Sequence, residues 1–315
     1  MRRATAFAPA TVSNVAVGFD ILGFPIETVG DFVTVSIIEE PAVRVAEIVD
    51  LTGTLSDSDI PSDPARNTAT VGLIKLREDL RLAHGFEVSL RKGIALGSGM
   101  GGSAASAVAA LTAANALLER PLAKETLFEY ALVCEQAASG TAHPDNAAPC
   151  LFGGFTLIAS AKPFRRVLLP VPEGVVVVLV RPRCRVETRG ARGILKTDVP
   201  LASHVRQSAF LAGFVAGCYT NDLELVRRSF RDVLIEPQRA PLIPAFTEVK
   251  AAALEEGALG ASISGSGPAV FAWATSPDAA ERVRAAMVRA FDEHGRTKAD
   301  SWVSPVSAEG AKVVE

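Results

Sequence analysis

The chain has no cysteine pair at C-x-x-C spacing and no Cys/His cluster of metal-ligand spacing; Cys134, Cys150, Cys184 and Cys218 stand far apart. That argues against a disulfide framework or a zinc site and reads as buried thiols of a reducing compartment. Long apolar runs are missing too. The longest aliphatic stretch, residues 175–180, can make a buried strand but cannot span a bilayer. Arg2 and Arg3 precede an apolar-looking stretch, but Pro9, Ser13, Asn14 and Asp20 interrupt it, so a signal peptide's continuous centre is absent. The expected location is therefore the cytoplasm, with no membrane partner. Excess positive charge is also lacking. A net charge of −3 argues against nucleic-acid binding, though a few local donors would still hold an anionic ligand. No repeat or low-complexity segment is present.

Hydrophobic residues make up 49% of the chain and charged residues 21%, so its 315 residues can fill two ordinary cores. Strands are expected at 4–8, 32–38 and 43–48, with a polar loop at 56–64. A helix should follow Asn67, where Val71, Ile74, Leu76 and Leu80 recur at helical spacing, and a strand should occupy 86–92. An alanine-rich helix to about residue 118 and a second at 124–138 lead into a loop at 139–149. One or two strands lie within 168–180. Helices follow near 199–219, 222–230 and 244–256, then strands 260–263 and 269–273, a helix 277–292 and a strand at 302–306. Strands and helices mix in both halves, which makes the class α+β. A boundary at residue 162 divides the chain into 1–162 and 163–315.

Most of the functional signal lies in Ala95-Leu96-Gly97-Ser98-Gly99-Met100-Gly101-Gly102-Ser103-Ala104-Ala105-Ser106. Its glycines let backbone approach a ligand closely, and the helix that begins immediately afterwards points unpaired N–H groups and a positive dipole end into the same loop. Together they make a phosphate cradle, with Ser103 and Ser106 adding hydroxyls. Gly97, Gly99 and Gly102 formally match the dinucleotide pattern G-x-G-x-x-G. The acidic residue closing a second strand is missing, however, since Glu119 and Glu125 fall at a helix end and inside the next helix. No Lys follows the glycines, which rules out a Walker loop. A purely structural glycine turn is the remaining alternative.

The longer string resembles the central phosphate-binding motif of the GHMP kinases, P-x-G-S-G-L-G-S-S-A-A, with Ala95 at the proline and Gly102 at the first of the paired serines. Two further segments resemble that family's other motifs in order. Pro9-Ala-Thr-Val-Ser-Asn14-Val-Ala-Val-Gly-Phe-Asp20-Ile-Leu-Gly23 is similar to P-A-x-x-x-N-x-x-x-G-F-D-x-L-G, and residues 260–271, with the turn Gly265-Ser266-Gly267, are similar to the third motif. The resemblance covers nearly the whole chain. It implies a two-domain fold: an N-terminal mixed sheet with helices carrying the phosphate loop, and a C-terminal ferredoxin-like α/β sandwich.

What the resemblance implies for chemistry is transfer of the γ-phosphoryl of ATP, with Mg²⁺, to an alcohol, here the hydroxyl of L-homoserine. ATP would lie on residues 95–106, with Asn67 near the base. Glu135 flanks the apolar face formed by Leu127, Ala131, Cys134 and Ala138, so it needs a partner. A nearby Arg would serve; the resemblance implies Mg²⁺, shared with Ser103. His143 and Asn146, in a segment similar to the family's H-x-D-N, become substrate contacts. Asn14 and Asp20 could equally be ordinary loop-capping residues. On the resemblance, Asp20 pairs with an ammonium group, and Arg192 and Arg239 with a carboxylate, although Arg189 competes locally with Arg192. Glu135, Asn146 and Arg192 are the implied catalytic set. Asp145 is the only nearby base candidate, and alignment without a dedicated base is expected. A homodimer is implied as well. Two alternatives stay open: a family kinase acting on a mevalonate-type or sugar alcohol, and a non-catalytic ligand sensor. Mevalonate would leave Asp20 without an ammonium partner, and a sensor has no need of Glu135 and Ser103.

Overall fold

Asn67 begins its helix in the expected way. Its side chain accepts the Ala69 N–H at 2.9 Å and so caps the first turn. The computed structural model describes residues 2–56, 59–140 and 142–315, without the side chains of Ala138 and Ser139. Residues 57 and 58 of the expected polar loop, Thr141 of the next one, and the Ala138 side chain lie outside the described residues. The first half runs β1 (Arg3–Ser13), β2 (Leu22–Ile38), β3 (Val43–Asp50), α1 (Thr68–Asp79), β4 (Gly85–Lys92), α2 (Gly102–Leu117), α3 (Lys124–Ser139), α4 (Pro144–Phe152), β5 (Phe155–Ala161) and β6 (Phe164–Leu169). The second runs β7 (Val176–Pro182), α5 (Thr188–Gly193), α6 (Leu201–Thr220), α7 (Leu223–Ser229), α8 (Glu236–Arg239), a 3-10 turn (Ala240–Leu242), α9 (Phe246–Glu255), β8 (Gly260–Ile263), β9 (Val270–Ala274), α10 (Pro277–Glu293), β10 (Ala299–Ser304) and β11 (Lys312–Val313).

The larger sheet has the order β11-β1-β2-β4-β3, with β5 paired to β2 and β6 to β5. It is mixed, because β3 runs parallel to β4 while the other pairs are antiparallel. Helix α2 lies in its core, buried along nearly its whole length from Ala104 to Leu117. Alanine suits that position, since it is the best helix former and lets neighbouring elements approach closely.

The smaller sheet has the all-antiparallel order β10-β7-β9-β8. Counted along the chain this is 4-1-3-2, the order of a ferredoxin-like sandwich, as expected. Strand alternation splits its faces. Val178, Val180, Val270 and Ala272 pack with α9 and α10. Leu179, Phe271 and Trp273 face the larger sheet's core. There Phe24 of β2, Phe155 of β5, Phe214 of α6 and Phe230 meet Phe271 and Trp273, with ring centroids 5.3–6.2 Å apart. This aromatic cluster fixes the two sheets relative to one another.

Three expectations need correction. Residues 144–149 of the expected loop instead belong to α4. Pro144 at its first position is a normal helix start, and the carbonyl of Asp145, four residues before Pro149, packs on Gly23 instead. The strands expected at 4–8 and 32–38 are longer and run into the first motif, since β1 continues to Ser13 and β2 starts at Leu22. Cys134, Cys150 and Cys218 are buried free thiols, but Cys184 is only partly buried. Strand β5 and the pairing of β11 with β1 lie beyond the expected elements. Phe24→Ala should cost about 3–5 kcal/mol and lower the urea midpoint; an unchanged midpoint would contradict the aromatic cluster's role.

Candidate active site

The glycine loop is held from four sides. The Gly97 carbonyl accepts from Val186 N–H at 3.0 Å, and that of Ser98 from Ala269 N–H at 3.1 Å. The Gly99 carbonyl accepts from Ser264 Oγ at 2.7 Å, and that of Met100 from Thr11 N–H at 3.1 Å. In a trans peptide the N–H points opposite to the carbonyl. Four successive carbonyls turned into protein therefore aim the N–H groups of residues 98–101 the other way. Among the described residues none of those N–H groups has a hydrogen-bond partner, nor do the first-turn N–H groups of Gly102, Ser103 and Ala104. Loop and helix end form one anion-accepting nest. Two glycines are required by close approach as well as by positive φ. A Cβ on Gly99 would overlap the Ser264 carbonyl. One on Gly101 would overlap Thr11 Oγ1 and lie 2.8 Å from Asn146 Oδ1.

This nest forms one wall of a cavity of about 480 Å³. Residues 95–103 line it, together with Asn14, Asp20, Glu135, His143, Asn146, Arg192 and Arg239. Residues far apart in the chain thus come together as expected. Asn67, Ala104, Ala105 and Ser106 are not among its lining. Asn67 is buried at its helix cap, and Ser106 bonds to Asp31 and Lys92 instead.

At the cavity floor Ser103 Oγ donates to Glu135 Oε1 at 2.5 Å. Burial pushes the Glu135 carboxyl up to about 7. These two hard oxygen donors suit a divalent cation of the Mg²⁺ type.

At the other end Asn14 and Asp20 both adopt positive φ, which Asn and Asp tolerate better than most residues. Asn14 Oδ1 accepts the Asp20 N–H and its Nδ2 donates to the Gly265 carbonyl, both at 2.8 Å. Asn14 therefore ties this loop to the third-motif turn and keeps one N–H for a ligand. Asp20 is ion-paired with Arg192 Nη2 at 2.6 Å, each side chain about one-third exposed. Arg239 is 3% exposed and donates to the carbonyls of Gly265 at 3.0 Å and Ala191 at 3.3 Å. Both guanidinium groups lie over the Phe19 ring, 5.2 and 5.1 Å from its centroid. Atoms of Asp20, His143 and Asp145 lie within 4.8 Å of one another, a corner suited to an ammonium group or another cation. Burial lowers the His143 pKa. Burial, then the Asp20 charge, raises the Asp145 carboxyl to about 7, and its Oδ1 has no hydrogen-bond partner among the described residues. Asn146 Oδ1 accepts from Thr11 Oγ1 at 2.8 Å.

Phe19, Thr188 and Ser266 also belong to this site without having been expected there, although Phe19 sits inside the first motif; Arg189, the local competitor of Arg192, lines the cavity as well. The family description GHMP kinases N terminal domain matches residues 67–154, and GHMP kinases C terminal matches residues 214–293. A homoserine kinase of Xylella fastidiosa (strain M12) is 50% identical over 312 residues, 99% of this chain and 94% of that one. The chain belongs to the GHMP kinase family. A homoserine kinase of Xanthomonas campestris pv. campestris (strain B100) is 48% identical over 314 residues, 100% of this chain and 95% of that one. The crystal structure of homoserine kinase from Cytophaga hutchinsonii superposes with a TM-score of 0.94 at 41% identity, covering 100% of this chain and 98% of that one. No described helix of this GHMP kinase is long and apolar enough to cross a membrane.

The buried Asp145 carboxyl gives a pH signature in this GHMP kinase. Its pKa rises on folding from 3.8 to about 7, so the folded chain binds a proton that the unfolded chain has released. Its contribution to stability is complete below 3.8 and is lost as pH climbs through about 7. In the ligand-free protein, Asp145→Asn should therefore gain in melting temperature relative to wild type across that window. A difference independent of pH would contradict the assignment.

Proposed function

We propose that this GHMP kinase transfers the γ-phosphoryl of ATP to the side-chain hydroxyl of L-homoserine, giving O-phospho-L-homoserine. The observation that carries the reading is the grouping of Asp20, Arg192 and Arg239 around Phe19 in the cavity walled by the anion nest. An α-amino acid needs one anion and two cations at its α-carbon, and this corner supplies them. On binding, the ammonium group takes over Asp20 and the carboxylate takes Arg192 and Arg239, which present planar donors. The Asp20–Arg192 pair is part-exposed, so opening it costs little. The strong homoserine kinase resemblance over the full chain supports the same acceptor.

In this scheme residues 95–103 and the α2 N-terminus receive the phosphates, while Asn67, buried at its helix cap, stays outside the cavity. Glu135 and Ser103 hold Mg²⁺. A bound ion would supply positive charge against the phosphates, and beside it the Glu135 carboxyl would be held in its ionised form. Asn14, His143 and Asn146 orient the substrate, Asn146 beside the attacking hydroxyl. Phosphoryl transfer depends chiefly on alignment and charge stabilisation, so no dedicated base is required. The division at residue 162 belongs to the same proposal: the first part supplies the loop, Ser103 and Glu135, the second Arg192 and Arg239. So do a cytoplasmic location and a homodimer. Leu201 and Val205 of α6, 77% and 57% exposed, are apolar surface that a second copy could cover.

ADP release measured with L-homoserine, mevalonate, galactose and shikimate tests the reading. Turnover with L-homoserine alone is expected. Turnover with another alcohol, or with none, would overturn it. Glu135→Ala should lower kcat by at least about a hundredfold and Asp145→Asn by far less; equal losses would make Asp145 a base.

A further inference from the structure

A buried ion pair that the scheme above does not use lies next to the phosphate loop. Asp31 is fully buried, Lys92 is 1% exposed and Ser106 is 2% exposed. None of the three lines the cavity. Asp31 Oδ1 accepts the N–H groups of Gly93 and Ile94, each at 3.0 Å. Asp31 Oδ2 accepts from Lys92 Nζ and, at 2.7 Å, from Ser106 Oγ. Lys92 Nζ also donates to the Gly102 carbonyl at 2.6 Å and to Ser106 Oγ at 2.9 Å. All three ammonium hydrogens are thereby used.

Geometry, rather than stability, is what such a network provides. A buried ion pair costs desolvation, and well-packed apolar side chains often replace one without loss. These contacts fall at the two ends of one segment. Gly93 and Ile94 carry the chain into the phosphate loop, while Gly102 and Ser106 sit in the first turns of α2, where the loop leaves. Gly102 stands where the family pattern has serine, and a Cβ there would lie 3.1 Å from Lys92 Nζ and 3.0 Å from Ile94 Cγ2, tighter than ordinary packing. The close approach of ammonium to backbone therefore favours glycine at that position.

We propose that Asp31, Lys92 and Ser106 are positioning residues, a clamp that holds both ends of the phosphate loop at the separation nucleotide binding requires. This rests on the kinase reading above. The clamp touches neither substrate. It acts through the backbone of residues 93–94 and 102, so losing it should loosen the nest while leaving the Asp20, Arg192 and Arg239 corner intact.

The test uses the full chain, with ADP·Mg²⁺ binding read by titration calorimetry and steady-state kinetics read for both substrates. Asp31→Asn/Lys92→Met removes both charges at similar volume, and Ser106→Ala removes one hydroxyl. The double variant should bind ADP·Mg²⁺ at least about tenfold more weakly and lose a similar factor in kcat. Its KM for L-homoserine should stay within about twofold of wild type. Unchanged nucleotide binding and kcat would overturn the proposal, and so would a loss shared equally by the L-homoserine KM, which would mark a general structural defect. Should the double variant fail to fold, Ser106→Ala decides by the same comparison, with an expected nucleotide loss of about threefold or more. Wild-type protein that binds no ADP·Mg²⁺ would overturn the kinase reading itself and this proposal with it.

Discussion

The outward commitment of four successive carbonyls, Gly97 to Met100, is the constraint on which the rest of the site depends. Backbone can cradle an anion only if its oxygens face elsewhere, and here each oxygen has its own protein donor. Three of those donors, on Val186, Ser264 and Ala269, come from the second half of the chain, and only Thr11 comes from the first. The nest is therefore a product of how the two sheets are docked. That docking is set by the aromatic cluster around Phe24, Phe155, Phe214 and Trp273, well away from any substrate. Core packing and phosphate recognition are in this sense one problem.

The cavity separates two kinds of electrostatics. Its floor holds neutral dipoles and Glu135, a carboxylate whose burial raises its pKa to about 7 and which a cation would restore to charge. Its far end holds fixed charges of both signs, with Asp20 satisfied by Arg192 before any ligand arrives. A self-paired site of this kind avoids the cost of unpaired buried charge and exchanges one partner for another when a zwitterion enters. Asn14 links the two regions by joining the Asp20 loop to the Gly265 turn, which in turn lies against Gly99.

Much of this was legible in the chain because glycine, asparagine and aspartate carry conformational information at short range. The 97–102 run and the cap at Asn67 could be placed from local chemistry, the Gly265–Gly267 turn only from its resemblance to the third motif. Helix α4 was not, because Pro144 and Pro149 read as loop formers when one is a helix starter and the other frees a carbonyl that packs on Gly23. The Asp31–Lys92 pair did leave a signal. Asp31 shares an inward face with Val33 and Val35, and Lys92 shares one with Phe86, Val88 and Leu90. A charge at the end of each such series suggests a buried partner, but nothing local says that the two partners are each other. The same limit applies to Asp20. Its motif marks it for a cation, while the Arg192 that occupies it is 172 residues away.

Backbone amide shifts of the ¹⁵N-labelled protein, recorded during titration with ADP·Mg²⁺, probe the nest most directly. The account predicts that the amides of residues 98–104 shift together and saturate with one affinity, while those of α10 stay in place. Saturable nucleotide binding that left the 98–104 amides unmoved would contradict it.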